Sequence, residues 1–139
     1  MAASPAGYSG TSLARKLGIE PGCRLCVLGD APGNYAQLLA PLPEAVIFES
    51  QPGAQTDIAH LFVVLATDLQ ARLKELRVIL KSNAALWVSW PKKASKVPTT
   101  ITENTLRDAA LPLGWVDIKV CAVNPVWSGL KLVVRKELR

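Results

Sequence analysis

The chain has one histidine and three cysteines, and aromatic residues make up only 6% of its 139 residues. Each scarcity removes a class of chemistry. With His60 the single histidine, Ser9, Ser89, Ser95 and Ser128 have no evident partner, so a serine triad is not expected. An odd cysteine count in a chain expected to be cytoplasmic argues against a disulfide framework. Cys23 and Cys26 form a C-x-x-C, but CRLCVLG reads as a strand, where residues three apart face opposite ways. A redox pair needs a helix N-terminus to lower a thiol pKa. One nitrogen ligand is too few to suggest zinc, so Cys23, Cys26 and Cys121 read as small core residues. No carboxylate cluster points to a hard metal site or to glycoside cleavage. No apolar run reaches the roughly 18 residues that span a bilayer. The opening MAASPAGYSG lacks the basic and apolar segments of an export signal, and residues 1–10 are expected to be loosely ordered. No catalytic constellation and no metal site are expected.

Half of the residues are apolar and 19% are charged, which suits one globular domain over residues 1–139. The net charge of +5 is unevenly spread. Residues 1–80 carry six Lys/Arg against seven Asp/Glu, whereas residues 81–139 carry ten against four. Such asymmetry can mark an anion-facing surface. The basic residues form no run longer than two, which argues against nucleic acid as the partner.

Periodicity and turn residues predict the order α-β-α-β-β-α-β-α-β-β. TSLARKLGI reads as a short helix stopped at Gly18, and PGCRLCVLG as a turn and a strand over 23–29. NYAQLLAPL is a short helix and AVIFES a second strand. DIAHLFVVLA, 57–66, is the continuous apolar run of a strand covered on both faces. Thr67 to Gln70 has capping-box spacing, and Leu69, Leu73, Leu76 and Leu80 follow at helical intervals. ALWVSWP is a strand and KKASKVPTT a polar loop. Thr100 and Glu103 make a second capping-box spacing before a helix ended by Pro112 and Gly114. WVDIKVCAV and WSGLKLVVRK, joined at Asn124-Pro125, are too closely connected to be parallel.

Alternating strands and helices give a three-layer α/β domain with a mostly parallel sheet. The closing antiparallel hairpin resembles the methyltransferase variant of the Rossmann fold, here in a trimmed form with no separate strand and helix between residues 50 and 57. In such sheets ligands bind outside the carboxyl ends of the strands. That rule gathers GDAPGNY, Glu49, Thr67-Asp68, WPKKASK and NPVWSG. The nucleotide loop of a methyltransferase would put an acid at Val27 and glycines at 29, 31 and 33. Gly29 and Gly33 fit, with Asp30 between them, but Ala31 and Val27 depart from the pattern and Pro32 removes a donor. Glu49, twenty residues after Gly29, stands where a carboxylate would accept from ribose hydroxyls. At the rim, Trp90, Lys92, Lys93 and Lys96, with Trp127 and Ser128, are the candidate anion-binding residues. Trp87 reads as core, and His60 as a core histidine.

The chain also resembles a family of small bacterial proteins of unknown function that share a pattern close to YSGTPLAKKLG, LWVSWPKK and DVKVCAVD-x-x-WSGLKFV. Here these stand as YSGTSLARKLG (8–18), LWVSWPKKASKVPTTITE (86–103) and VDIKVCAVNPVWSGLKLVVRK (116–136). Ser12 replaces a proline and Asn124 an aspartate. The resemblance implies a small methyltransferase-like Rossmann domain and supplies no activity. The leading expectation is a non-catalytic or degenerate domain that binds an anionic ligand or a protein partner at the rim. The alternative is a working S-adenosylmethionine-dependent methyltransferase on a minimal scaffold. A third reading is a structural or regulatory protein, for example a homodimer joined at a sheet edge.

Overall fold

The computed structural model describes residues 11–139, so the expectation for residues 1–10 lies outside the described residues. Its elements are α1 (Leu13–Leu17), β1 (Arg24–Gly29), α2 (Tyr35–Leu39), β2 (Ile47–Glu49), β3 (Ile58–Phe62), α3 (Ala66–Ile79), β4 (Ala85–Pro91), α4 (Glu103–Ala110), β5 (Trp115–Ala122) and β6 (Trp127–Val134). The predicted order is the observed one. The six strands form one sheet in the order β2-β1-β3-β4-β6-β5. β2, β1, β3 and β4 are parallel neighbours, and β6 runs antiparallel to both β4 and β5. The fold is a three-layer Rossmann-like sheet with a C-terminal antiparallel hairpin.

Strand alternation divides the core in two. Leu61, Leu86, Val88, Trp90, Leu130 and Leu132 pack against Leu69, Leu73 and Leu76 of α3 and Leu106 of α4. Phe62, Trp87 and Trp127 pack on the other face against Leu13 and Leu17 of α1 and Tyr35 and Leu39 of α2. Trp87 is fully buried, and its indole N–H donates to the Leu17 carbonyl at 3.0 Å, which ties the end of α1 to the sheet. Ser12 caps α1 by accepting from the Arg15 N–H, and Gly18 ends it at φ 82°. Asn124 builds the hairpin turn, its Oδ1 accepting from the N–H groups of Val126 and Trp127.

Three local expectations are corrected. The apolar run 57–66 is a strand only as far as Phe62, because the Val64 carbonyl is taken by the loop at Thr99 and Thr100 and α3 begins at Ala66. The start of α3 has no capping side chain of its own. The Thr100 hydroxyl accepts from the Ala66 N–H at 2.8 Å, so Thr67 caps nothing. With Thr100 used there, α4 is capped by Thr102, whose hydroxyl accepts from the Thr105 N–H. Glu103 instead pairs with Arg107 four residues on.

Candidate functional site

The connection through α2 leads from β1 to β2 on one side of the sheet, and that through α3 leads from β3 to β4 on the other side. The two diverge between β1 and β3, which is the point where an open α/β sheet leaves a crevice. A cleft of about 310 Å³ lies there, lined by Gly29, Asp30, Phe62, Asp68, Arg72 and Glu75 among others. Gly29 is required by the fold itself. It holds φ +80°, and a Cβ there would lie 2.1 Å from the Phe62 carbonyl oxygen. This close approach brings the Asp30 N–H onto that oxygen at 3.0 Å. Gly33 has no such demand, since a Cβ would meet nothing within 4 Å.

The opposite wall is α3. Asp68, Arg72 and Glu75 are four and three residues apart, hence on one helical face. Among the described residues neither Asp30 nor these three is part of an ion pair. The cleft thus presents three carboxylates and one guanidinium. Asp68 was marked by its place after β3; Arg72 and Glu75 were not, although their spacing was readable.

Glu49 does not face this cleft. It pairs with Cys26, three residues short of Gly29 and so about 10 Å down the strand. Its carboxylate accepts from the Thr56 hydroxyl at 2.6 Å and from Arg24 Nε at 3.1 Å. The Thr56 hydroxyl, and after it Arg24, hold the carboxyl below the usual range. Both oxygens are therefore engaged inside the protein, and a ribose would have to displace those partners.

Trp90 and Trp127, placed on the rim by sequence, are buried. Trp90 belongs to the α3/α4 core, and Trp127 stands edge-on to Phe62 with centroids 5.1 Å apart. Neither offers an open ring face, because each points into one of the two helix layers that cover the sheet. Ser128 pairs with Trp90 across β4 and β6 and is half-buried. Lys92 is half-buried, with its N–H donating to the Val126 carbonyl at 2.7 Å, and Lys93 and Lys96 are exposed. Lys96 takes a left-handed φ of 62° at the end of a short 3-10 turn over Lys93–Ser95. The structure gathers Gly29 and Asp30 at the cleft and the three lysines on the neighbouring loop; Glu49 stands apart.

His60 and Ser89 correct a second expectation. His60 Nε2 lies 2.7 Å from Ser89 Oγ, and Nδ1 lies 2.7 Å from the Tyr35 hydroxyl. Ser89 thus has a histidine partner. Both residues are fully buried, so the arrangement does not make an accessible nucleophile. Burial lowers the His60 pKa to about 3 and pushes the Tyr35 phenol up. A neutral imidazole has one donor and one acceptor, and the two hydroxyls can match either tautomer. His60 is a satisfied core histidine, stacked on Phe62 at 4.2 Å. Cys23 and Cys26 are buried and Cys121 is half-buried, with burial raising all three thiols. Among the described residues no group of His, Cys, Asp and Glu could hold a metal ion, and no helix is long and apolar enough to cross a membrane.

No protein-family model and no curated protein sequence matches the chain. Solved structures do. A Sulfolobus solfataricus protein assigned to the type 11 methyltransferases superposes with a TM-score of 0.63 at 16% identity, over 89% of this chain and 90% of that one. An S-adenosylmethionine-dependent methyltransferase from Aquifex aeolicus gives 0.63 at 15% identity, over 88% of each chain. DhpI, solved in complex with S-adenosylhomocysteine, gives 0.60 at 14% identity, over 88% of this chain and 82% of its own. At such identities the likeness is one of fold. The chain shares a methyltransferase-like Rossmann fold with proteins of nearly its own length.

Proposed function

We propose that the protein binds S-adenosylmethionine in the cleft between Gly29-Asp30 and the Asp68, Arg72, Glu75 face of α3, and acts as a methyltransferase. The observation that carries this reading is the cleft's charge at the switch point of the sheet. S-Adenosylmethionine carries a sulfonium and an ammonium, which suit Asp30, Asp68 and Glu75, and a carboxylate, which suits Arg72. A purely anionic ligand would meet three carboxylates. The volume lies at the lower end of the range for small-molecule sites. The bound group would supply an electrophilic methyl. The chain's own residues would orient it through α3 more than through the glycine loop, since Pro32 offers no N–H and that of Asp30 is already used. The short chain is no objection, because fold neighbours of nearly equal length are assigned as methyltransferases.

Isothermal titration with S-adenosylhomocysteine tests this. Saturable binding is expected, with Arg72→Ala or Asp68→Asn weakening it at least tenfold. Glu49→Ala should lower stability but leave that affinity within about twofold. No heat and no thermal shift at millimolar ligand would refute the reading, since a ligand at a hundred times its dissociation constant adds about 2.7 kcal/mol.

A second reading keeps the fold without the chemistry, as a domain that binds an anionic partner through Lys92, Lys93 and Lys96. Its support is that Lys93 and Lys96 are exposed and, among the described residues, have no carboxylate within ion-pair distance. Loss of polyanion binding in the triple alanine variant, together with indifference to S-adenosylhomocysteine, would favour it.

A further inference from the structure

The lysines of the C-terminal hairpin are dispersed in sequence, but the fold brings them together. β5 begins with Trp115 and Asp117 directed toward α4; Trp115 packs in the α3/α4 core and Asp117 accepts from Arg107 at 2.9 Å. Regular alternation would send Lys119 the same way. The register shifts between Asp117 and Lys119, leaving Ile118 as a bulged extra residue. Beyond the bulge, Lys119 pairs with Lys131 and Cys121 with Gly129, on the face that carries α1. Bulges re-aim side chains in this way. The result is two lysines directly opposite each other on adjacent antiparallel strands, an arrangement that costs stability.

Nothing in the described residues neutralises this pair with a carboxylate. Lys119 Nζ donates to the Lys16 carbonyl at 3.2 Å, and Lys131 Nζ lies 3.6 Å from where a Cβ on Gly18 would stand. Both ammonium groups therefore converge on the C-terminal end of α1, whose last turn also carries Arg15 and Lys16. A helix C-terminus attracts cations only through partial charges.

We infer that this bulge-built face, with Lys119 and Lys131 at its centre and Arg15 at its edge, docks the phosphodiester backbone of a nucleic acid. An ammonium with spare donors suits a row of phosphates. The face combines the hairpin strands with the C-terminal end of α1 and lies remote from the cleft at β1 and β3, which suits an extended polymer better than a small anion. No exposed aromatic stands on the hairpin, so recognition is of backbone without base stacking. An anionic membrane fits less well, because the exposed Val120 pairs with Leu130 and so lies on the opposite face. The inference is independent of the proposed cofactor.

The test is fluorescence anisotropy of the full chain with a labelled mixed-sequence DNA duplex and an RNA strand, across a salt series. Binding is expected to at least one of them. Lys119→Ala/Lys131→Ala should reduce affinity more than tenfold and cut the salt slope on duplex DNA by about two. Lys119→Arg/Lys131→Arg should retain binding, and Lys136→Ala, a charge removed elsewhere on the surface, should change little. The thermal midpoint of the alanine variant should hold or rise, since a like-charge pair is gone; if it falls, the single Lys119→Ala change gives the slope. Unchanged affinity and slope in the alanine variant would overturn the assignment. So would failure to bind either nucleic acid, whether or not anionic vesicles are bound.

Discussion

The parallel half of the sheet and its antiparallel end meet solvent in different ways. After β1 and β3 the chain turns into helices that leave on opposite faces, so the strand ends open into a concave cleft with acidic walls. After β5 the chain only folds back as β6, with no helix between them, so its lysines, Lys119 exposed and Lys131 half-buried, lie beside the end of α1 instead of lining a crevice. A crevice can surround a small molecule, whereas a basic strand face at the sheet edge is suited to something extended.

The largest effect expected would abolish the distinction by unfolding both halves. His60 lies on β3 and bonds to α2 and β4. Its pKa is lowered to about 3 in the fold, against about 6.5 in the unfolded chain. The neutral form is the one the fold favours, so its full contribution is present above pH 6.5. It falls by about 1.4 kcal/mol per unit as pH drops, an accumulated loss of roughly 4 kcal/mol by pH 3. Glu49, Asp57 and Asp117 are held below their usual range, so they add to the loss only in more acidic solution. Between pH 6.5 and 5 the urea midpoint should therefore decline in the wild type and stay level in a folded His60→Asn variant. A level wild-type midpoint would contradict this.

A smaller change should strike one half alone. Gly29→Ala puts a Cβ against the Phe62 carbonyl in a left-handed residue and should cost about 2–5 kcal/mol by urea unfolding. It should weaken S-adenosylhomocysteine binding while nucleic-acid binding of the folded fraction persists. Salt should separate the halves without any mutation. Raising it from about 50 to 200 mM should weaken nucleic-acid binding about 10- to 40-fold, for two or three phosphate contacts. Titration of the cleft ligand should change less than twofold. The smallest effect is that of Thr100→Ala, which removes the cap of α3 and should cost about 1 kcal/mol in thermal unfolding.

The element order was readable because the strands and helices differ in apolar period and several stop at a Gly or Pro, as at Gly18 and Pro112, while the β3 to α3 boundary, which has neither, was placed too late. The caps were misread because two threonine spacings of the same form compete, and only the docking of the loop onto Val64 decides that Thr100 serves α3 and Thr102 serves α4. Asp68, Arg72 and Glu75 carried a readable signal in their spacing. The His60 to Ser89 bond carried none, since it depends on the register that sets Phe62 beside Ser89. Nor did the apposition of Lys119 and Lys131, which one bulged residue creates. Trp90 and Trp127 misled because a tryptophan near a strand end looks the same in sequence whether its ring faces water or a helix layer.

The hydroxyl of Thr100, thirty-four residues ahead in the chain, closes the first turn of α3. The helix wall bearing Asp68 and Arg72 therefore starts on a borrowed cap, supplied by the loop that bears Lys93 and Lys96 and held to it at Val64 and Ala66.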